Sequence, residues 1–119
     1  MLKGFRPADK TYNSGVLYVC EPSGEKSSFA AVKNQNRDED LEKILKLNFD
    51  EKSRRERDME LAEAQDRYLT LKVRTRLREE VKSTHIVLIE NTLYSIIYID
   101  PDRKEGDMYL YLEEERKIE

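Results

Sequence analysis

The 119 residues include one cysteine, one histidine and no tryptophan. A lone cysteine, Cys20, excludes an intrachain disulfide framework and any cysteine-rich zinc knuckle, and makes a reducing, intracellular setting the more natural one. A lone histidine, His85, excludes metal centres built mainly from imidazoles. Neither G-x-x-x-x-G-K-S/T nor G-x-G-x-x-G occurs, so both common phosphate cradles are missing. Apolar runs stay far below the roughly 18 residues of a membrane-spanning helix, and Met1-Leu2-Lys3-Gly4-Phe5 lacks the apolar stretch of a signal peptide. An excess of positive charge is absent too: 22 Lys and Arg against 25 Asp and Glu leave a net charge of -3. Bulk attraction to nucleic acid is therefore not expected, although a local basic rim remains open.

Charged residues make up 39% of the chain and apolar ones 38%, wet for so short a sequence but too clustered for disorder throughout. The length allows one domain over 1–119, with residues 1–12 a flexible arm or an edge strand. Val16-Leu17-Tyr18-Val19-Cys20 reads as a strand that stops before Pro22. Pro22-Ser23-Gly24-Glu25 reads as a turn and Phe29-Ala30-Ala31-Val32 as a weaker return strand. Leu45 to Phe49 is predicted as a strand, while 38–44 fits strand or helical turn equally. Ser53-Arg54-Arg55-Glu56 has the form of a capping box, and it predicts a helix from about Arg54 to Asp66. Its apolar stripe would be Leu61, Ala64, Gln65 and Tyr68, widened by Met59 and Ala62.

Beyond the helix the pattern is β. Leu69, Leu71 and Val73 alternate with polar residues, Thr75 and Leu77 continue them, and 78–84 is a charged loop. Ile86–Ile89 and Leu93–Ile99 form a hairpin through Glu90-Asn91-Thr92. Asp100 to Gly106 is a longer turn preset by Pro101, and Met108–Leu112 is the closing strand. In that strand Met108, Leu110 and Leu112 face the core and Tyr109 and Tyr111 the opposite side. The expected fold is mainly β with one inserted helix: a small antiparallel β-barrel, its closure protecting strand edges, with 69–77 paired to the hairpin of 86–99.

Catalytic signals are weak. His85 sits beside Ser83 and Thr84, but strand neighbours point to different faces and make no triad. Cys20 reads as a small buried hydrophobe. Asp38-Glu39-Asp40 and the Asp100/Asp102 pair read as solvated loop charge, because hard cations need about six converging oxygens. No catalytic, cofactor-binding or metal-ligating residue is expected, and the chain reads as a non-enzyme. The basic residues say more. Arg54, Arg55 and Arg57 stand at the helix start, where the macrodipole prefers acids. They are compensated by pairs such as Arg57 with Glu60, or held for a partner or DNA. Lys72, Arg74, Arg76 and Arg78 recur with period two and share one strand face. That face serves pairing and solvation, or contact with a nucleic-acid backbone; no aromatic interleaves along it. Glu113-Glu114-Glu115 reads as a polar terminus or an ionic docking strip.

The stretch Arg57-x-x-x-x-Ala62-x-x-Gln65-Asp66-Arg67-x-Leu69-Thr70-Leu71-Lys72-Val73-x-Thr75-Arg76 resembles the tailed-phage head–tail joining family, also described as head-closure, stopper or head–tail adaptor proteins. Val87-Leu88-Ile89 with Leu93-Tyr94-Ser95-Ile96, and Asp100-Pro101-Asp102-Arg103 with Tyr111-Leu112-Glu113, extend the likeness over about 41–116. The resemblance implies a structural protein of the virion neck, made in the host cytoplasm. It would join a ring beneath the portal and its adaptor ring after packaging, retain the genome and present a surface to tail-side proteins. The family fold is a small β-barrel with an inserted helix. A loop from each subunit would enter the channel, Asn48-Phe49-Asp50-Glu51-Lys52 being favoured over 78–84. Self-association would set Arg74, Arg76 and Arg78 against Glu113, Glu114 and Glu115 of a neighbour, with Tyr109 and Tyr111 adding apolar contact. Arg54, Arg55 and Arg57 would face packaged DNA, contacted non-specifically, or a partner. No cofactor and no membrane is implied. A tail-terminator or neck protein and a small nucleic-acid-binding barrel are the competing readings.

Overall fold

A computed structural model of the chain describes residues 12–22 and 41–118. The expected arm before Tyr12, the turn after Pro22, the strand at Phe29–Val32 and the Asp38–Asp40 carboxylates lie outside the described residues. The elements are β1 (Gly15–Pro22), β2 (Leu41–Lys52), helix α1 (Glu56–Glu63), β3 (Leu71–Arg76), β4 (Ile86–Ile89), β5 (Thr92–Asp102) and β6 (Asp107–Lys117). Among the described residues all strand pairs are antiparallel, and they close into a barrel in the order β1-β2-β3-β6-β5-β4. Among the described residues the expected mainly β barrel with one inserted helix is the observed fold.

Period-two alternation fills the barrel. Leu17 and Val19, Leu47 and Phe49, Val73 and Thr75, Val87, Ile96, and Met108, Leu110 and Leu112 are all buried. Thr75 is the polar member of this interior, and its hydroxyl donates to the Asn48 carbonyl at 2.7 Å. A second cluster, Cys20, Leu41, Leu88, Leu93 and Ile118, packs separately from the interior. A third lies beneath α1: Ala62, Leu69, Ile97 and Tyr111, flanked by Met59 and Tyr109. Cys20 is therefore a buried apolar filler.

Several expected boundaries move. Residues 48–52, expected as a loop, belong to β2: Phe49 enters the core, and Phe49 through Lys52 pair with Thr75 through Lys72. Their outward charges imitate a loop in sequence, but the cross-strand ladder holds them. Strand β3 pairs with β2 and β6 and reaches the β4–β5 hairpin only through β6, so direct pairing of 69–77 with 86–99 does not occur. Pro101 continues β5 opposite Met108, which shortens the turn to Arg103–Gly106. There Gly106 takes φ +76°, a left-handed value that suits glycine, and its amide donates to the Asp102 carbonyl at 2.9 Å.

The helix is shorter than expected, and its start differs. Ser53 does not cap it; Arg55 is the N-cap residue, and its backbone amide donates to the Asp58 carboxylate at 3.0 Å. A guanidinium has no acceptor with which to return that bond, so the box is one-sided. At the exit, Arg67 N–H donates to the Ala62 carbonyl and Asp66 N–H to the Glu63 carbonyl, each at 2.9 Å, with Asp66 left-handed at φ 58°. This is a Schellman ending with aspartate where glycine is usual. The buried face carries Asp58, Met59 and Ala62, whereas Leu61 and Tyr68 of the expected stripe are exposed.

Candidate functional site

The outward side chains of β2, β3, β6 and β5 fall into rows across the barrel wall. Asp50, Arg74, Tyr109 and Asp100 are register partners in one row; Lys52, Lys72, Tyr111 and Tyr98 form the next. A register shift in β5 between Ile96 and Tyr98 turns both Ile97 and Tyr98 to this side, Ile97 against the helix cluster and Tyr98 against Tyr111. The tyrosines that were absent along β3 itself thus stand beside its cations on the adjacent strands.

Helix α1 presents Asp58 to this wall. Lys72 Nζ donates to Asp58 Oδ2 at 2.9 Å, with side-chain exposures of 10% and 7%. The same carboxylate accepts from the Arg55 amide. Burial alone would raise its pKa, but these donors and the Lys72 charge outweigh burial and hold it below the usual carboxylate value. Burial first, then the Asp58 charge, pushes the Tyr111 hydroxyl up to about 12. Lys72 Nζ also lies 5.2 Å from the Tyr111 ring centroid and 5.6 Å from that of Tyr109, and the Tyr98 and Tyr111 rings meet edge to face at 5.4 Å.

Between helix and wall opens a cleft of about 660 Å³. Tyr98, Tyr109 and Tyr111 line it, Leu61 borders it, and Lys52, Arg55 and Arg57 bring cations to it. Below the helix a second polar lattice fastens the chain: Arg67 bonds Glu113 and reaches Ser95 Oγ at 2.6 Å, while Ser95 Oγ donates to Glu115 at 2.6 Å.

The structure brings some of the expected residues together and separates others. Arg55 and Arg57 border the cleft with Lys52, whereas Arg54 turns away and donates to the Leu69 carbonyl at 3.1 Å. Lys72, Arg74 and Arg76 do share one face of β3, but Arg78 lies beyond the strand and pairs with Glu80 at 2.7 Å. Arg74 pairs with Asp50 at 2.7 Å, and Arg74 and Arg76 both stand over the Tyr12 ring. Burial opposes the charge on Asp50, yet the Asn13 amide and Arg74 keep its pKa lowered. Tyr109 and Tyr111 do oppose the core stripe, but Tyr111 is buried beneath α1. Glu113, Glu114 and Glu115 belong to β6 instead of following it, Glu113 and Glu115 being engaged as above and Glu114 lying 3.7 Å from Lys117.

The loop at 78–84 is real. Val81 tucks into the barrel interior, Arg103 reaches Glu79 at 3.3 Å, and His85 Nδ1 accepts from the Lys82 amide at 3.0 Å. His85 Nε2 lies 3.2 Å from Glu21, so the histidine is a structural tie. Reading the sequence missed Asp58, Leu61, Tyr98 and Asp100 as site residues; Lys52 was expected in a channel loop and stands instead at the cleft. The one available signal was an acid at position 58, spaced to receive a backbone amide. Comparison with protein-family models, with curated proteins and with solved structures finds no match to this chain.

Proposed function

We propose that this chain is a structural protein of the tailed-phage head–tail junction, one subunit of a ring that closes the portal channel after packaging and offers a surface for tail attachment. The observation that supports it is the position of α1. The residues that carry the family resemblance, 57–76, form the helix, its exit and β3, and the helix interrupts the barrel between β2 and β3. A barrel with one inserted helix is the body that the resemblance calls for.

In this reading the ring contact is heterologous, one face of a subunit meeting a different face of the next. Arg76, Glu114 and Glu115 are exposed enough to set register, each such pair being worth roughly 0–1 kcal/mol. Tyr109 keeps part of its ring at the surface and is the better adhesive candidate; Tyr111 is spent on the helix. With 48–52 in a strand, the channel loop becomes 78–84, pinned at its midpoint by Val81 and presenting Glu79, Glu80 and Lys82 outward.

Placing the chain in a density map of the assembled particle tests the proposal: it should lie between capsid and tail, and shortening 78–84 should release packaged DNA. Co-purification with tail-tube proteins instead of portal complexes would favour a tail terminator. Salt-sensitive binding of random DNA by the free chain would favour a nucleic-acid-binding barrel.

A further inference from the structure

We infer that the cleft between α1 and the outer wall of β3, β6 and β5 is a docking site for an acidic peptide segment of a partner protein, carrying one apolar anchor residue. The inference rests on the cleft alone and is independent of the virion reading.

Charge is the first argument. Arg67, Lys72, Arg74, Arg78 and Arg103 each have a carboxylate partner. Lys52, Arg55 and Arg57, at the cleft, have no ion-pair partner among the described residues. Of the two acids lining the cleft, Asp58 is neutralised by Lys72, which leaves Asp100 alone against three cations. A locally positive recess on a chain of net charge -3 is complementary to carboxylates.

The apolar lining is the second. Among the described residues Leu61, Tyr68 and Tyr98 are the exposed large hydrophobics, and two of them, Leu61 at 39% and Tyr98 at 42%, line this cleft. Tyrosine and arginine around an apolar-lined recess is the composition of protein-binding hot spots. The volume falls within the roughly 300–1,000 Å³ of ordinary ligand sites. The floor is already fixed by the Asp58–Lys72 bond and the Tyr98–Tyr111 contact, so docking orders little of this protein.

A polynucleotide fits less well. Tyr98 offers a base one stacking face, but the next cation along the wall, Arg74, is already bound to Asp50, so no row of free cations follows a phosphate backbone. The backbone track therefore ends at the cleft.

The full chain, labelled with nitrogen-15, is titrated with a blocked peptide Glu-Asp-Phe-Glu-Asp while amide shifts are followed. Shifts should concentrate at 52–61, 98–100 and 109–111, and weaken as salt rises. The double variant Arg55→Ser/Arg57→Ser should lower affinity at least about tenfold. Replacing the peptide's Phe by Ser should do the same, as should Leu61→Ser; these positions are exposed, and unchanged shifts at the barrel interior show that the fold is kept. Shifts located elsewhere, no shifts at all, equal binding of a lysine-substituted peptide, or tighter binding of oligothymidylate at the same residues would each overturn the inference.

Discussion

The Asp58–Lys72 pair is where one substitution should cost most for its size. Asp58→Asn keeps the volume and an acceptor for the Arg55 amide but leaves the Lys72 ammonium buried without a counter-charge. At 2.9 Å and an effective dielectric near 20 the gross attraction is about 6 kcal/mol. The retained amide contact, the two tyrosine faces and water entering from the cleft return part of that. The expected loss is about 3 kcal/mol, at the lower end for breaking a buried pair and a large share of the roughly 5–15 kcal/mol that holds a domain folded. Urea unfolding followed by far-ultraviolet circular dichroism measures it. Adding Lys72→Met should recover about 2 kcal/mol, because the stranded charge is then gone. The pH dependence has a definite sign. A carboxyl whose folded pKa is depressed stabilises the fold above its ordinary value of 3.8, and that contribution is lost as pH falls through the depressed one. The gap between parent and Asp58→Asn should therefore close in acid. A single variant within about 0.5 kcal/mol of the parent at neutral pH, or a double variant no better than the single, would refute a cation stranded by the loss of Asp58.

Asp66→Gly should raise stability by about 0.5–1 kcal/mol, since it relieves a left-handed residue and removes a negative charge from the helix C-terminus; an unchanged melting temperature would show that the ending is not strained. Gly106→Ala should cost about 1 kcal/mol although its new methyl meets no neighbour, because the left-handed backbone alone is at issue. Leu110→Ala in the fully buried stripe should cost about 2–5 kcal/mol, read as a shift of the urea midpoint. In ultraviolet titration one tyrosine should ionise near 12, and Tyr111→Phe should abolish that step. Because the folded state holds this proton more tightly, parent stability should fall as pH rises from 10 towards about 12.

Much of the barrel is legible residue by residue. The alternation of Met108, Leu110 and Leu112 against Tyr109 and Tyr111, the Ile86–Ile89 hairpin and the cationic face of β3 all follow from period two. What escapes is information held by partners far along the chain. Asp50-Glu51-Lys52 looks like a loop until Arg74, Val73 and Lys72 are placed opposite. Ile96-Ile97-Tyr98-Ile99 carries no glycine to mark its register shift, so the outward turn of Tyr98 is invisible. The helix rolls away from its apparent stripe because Asp58 is drawn inward by Lys72, and Leu61 is left outside. The cleft is made of those displacements, and that is why the sequence did not disclose it.

The ring of strands is not equally strong around its circumference. β5 and β6 share ten register pairs and β1 and β2 eight, whereas β1 meets β4 through only Tyr18–Leu88, Val19–Val87 and Cys20–Ile86. In the six-strand order that short seam lies diametrically across from the β3–β6 junction that floors the cleft. Breathing of the barrel should thus begin on the far side, with the seam parting like a clasp while the wall beneath α1 acts as its hinge. A partner held in the cleft would feel little of that motion, and a load applied through β1 would be released there first.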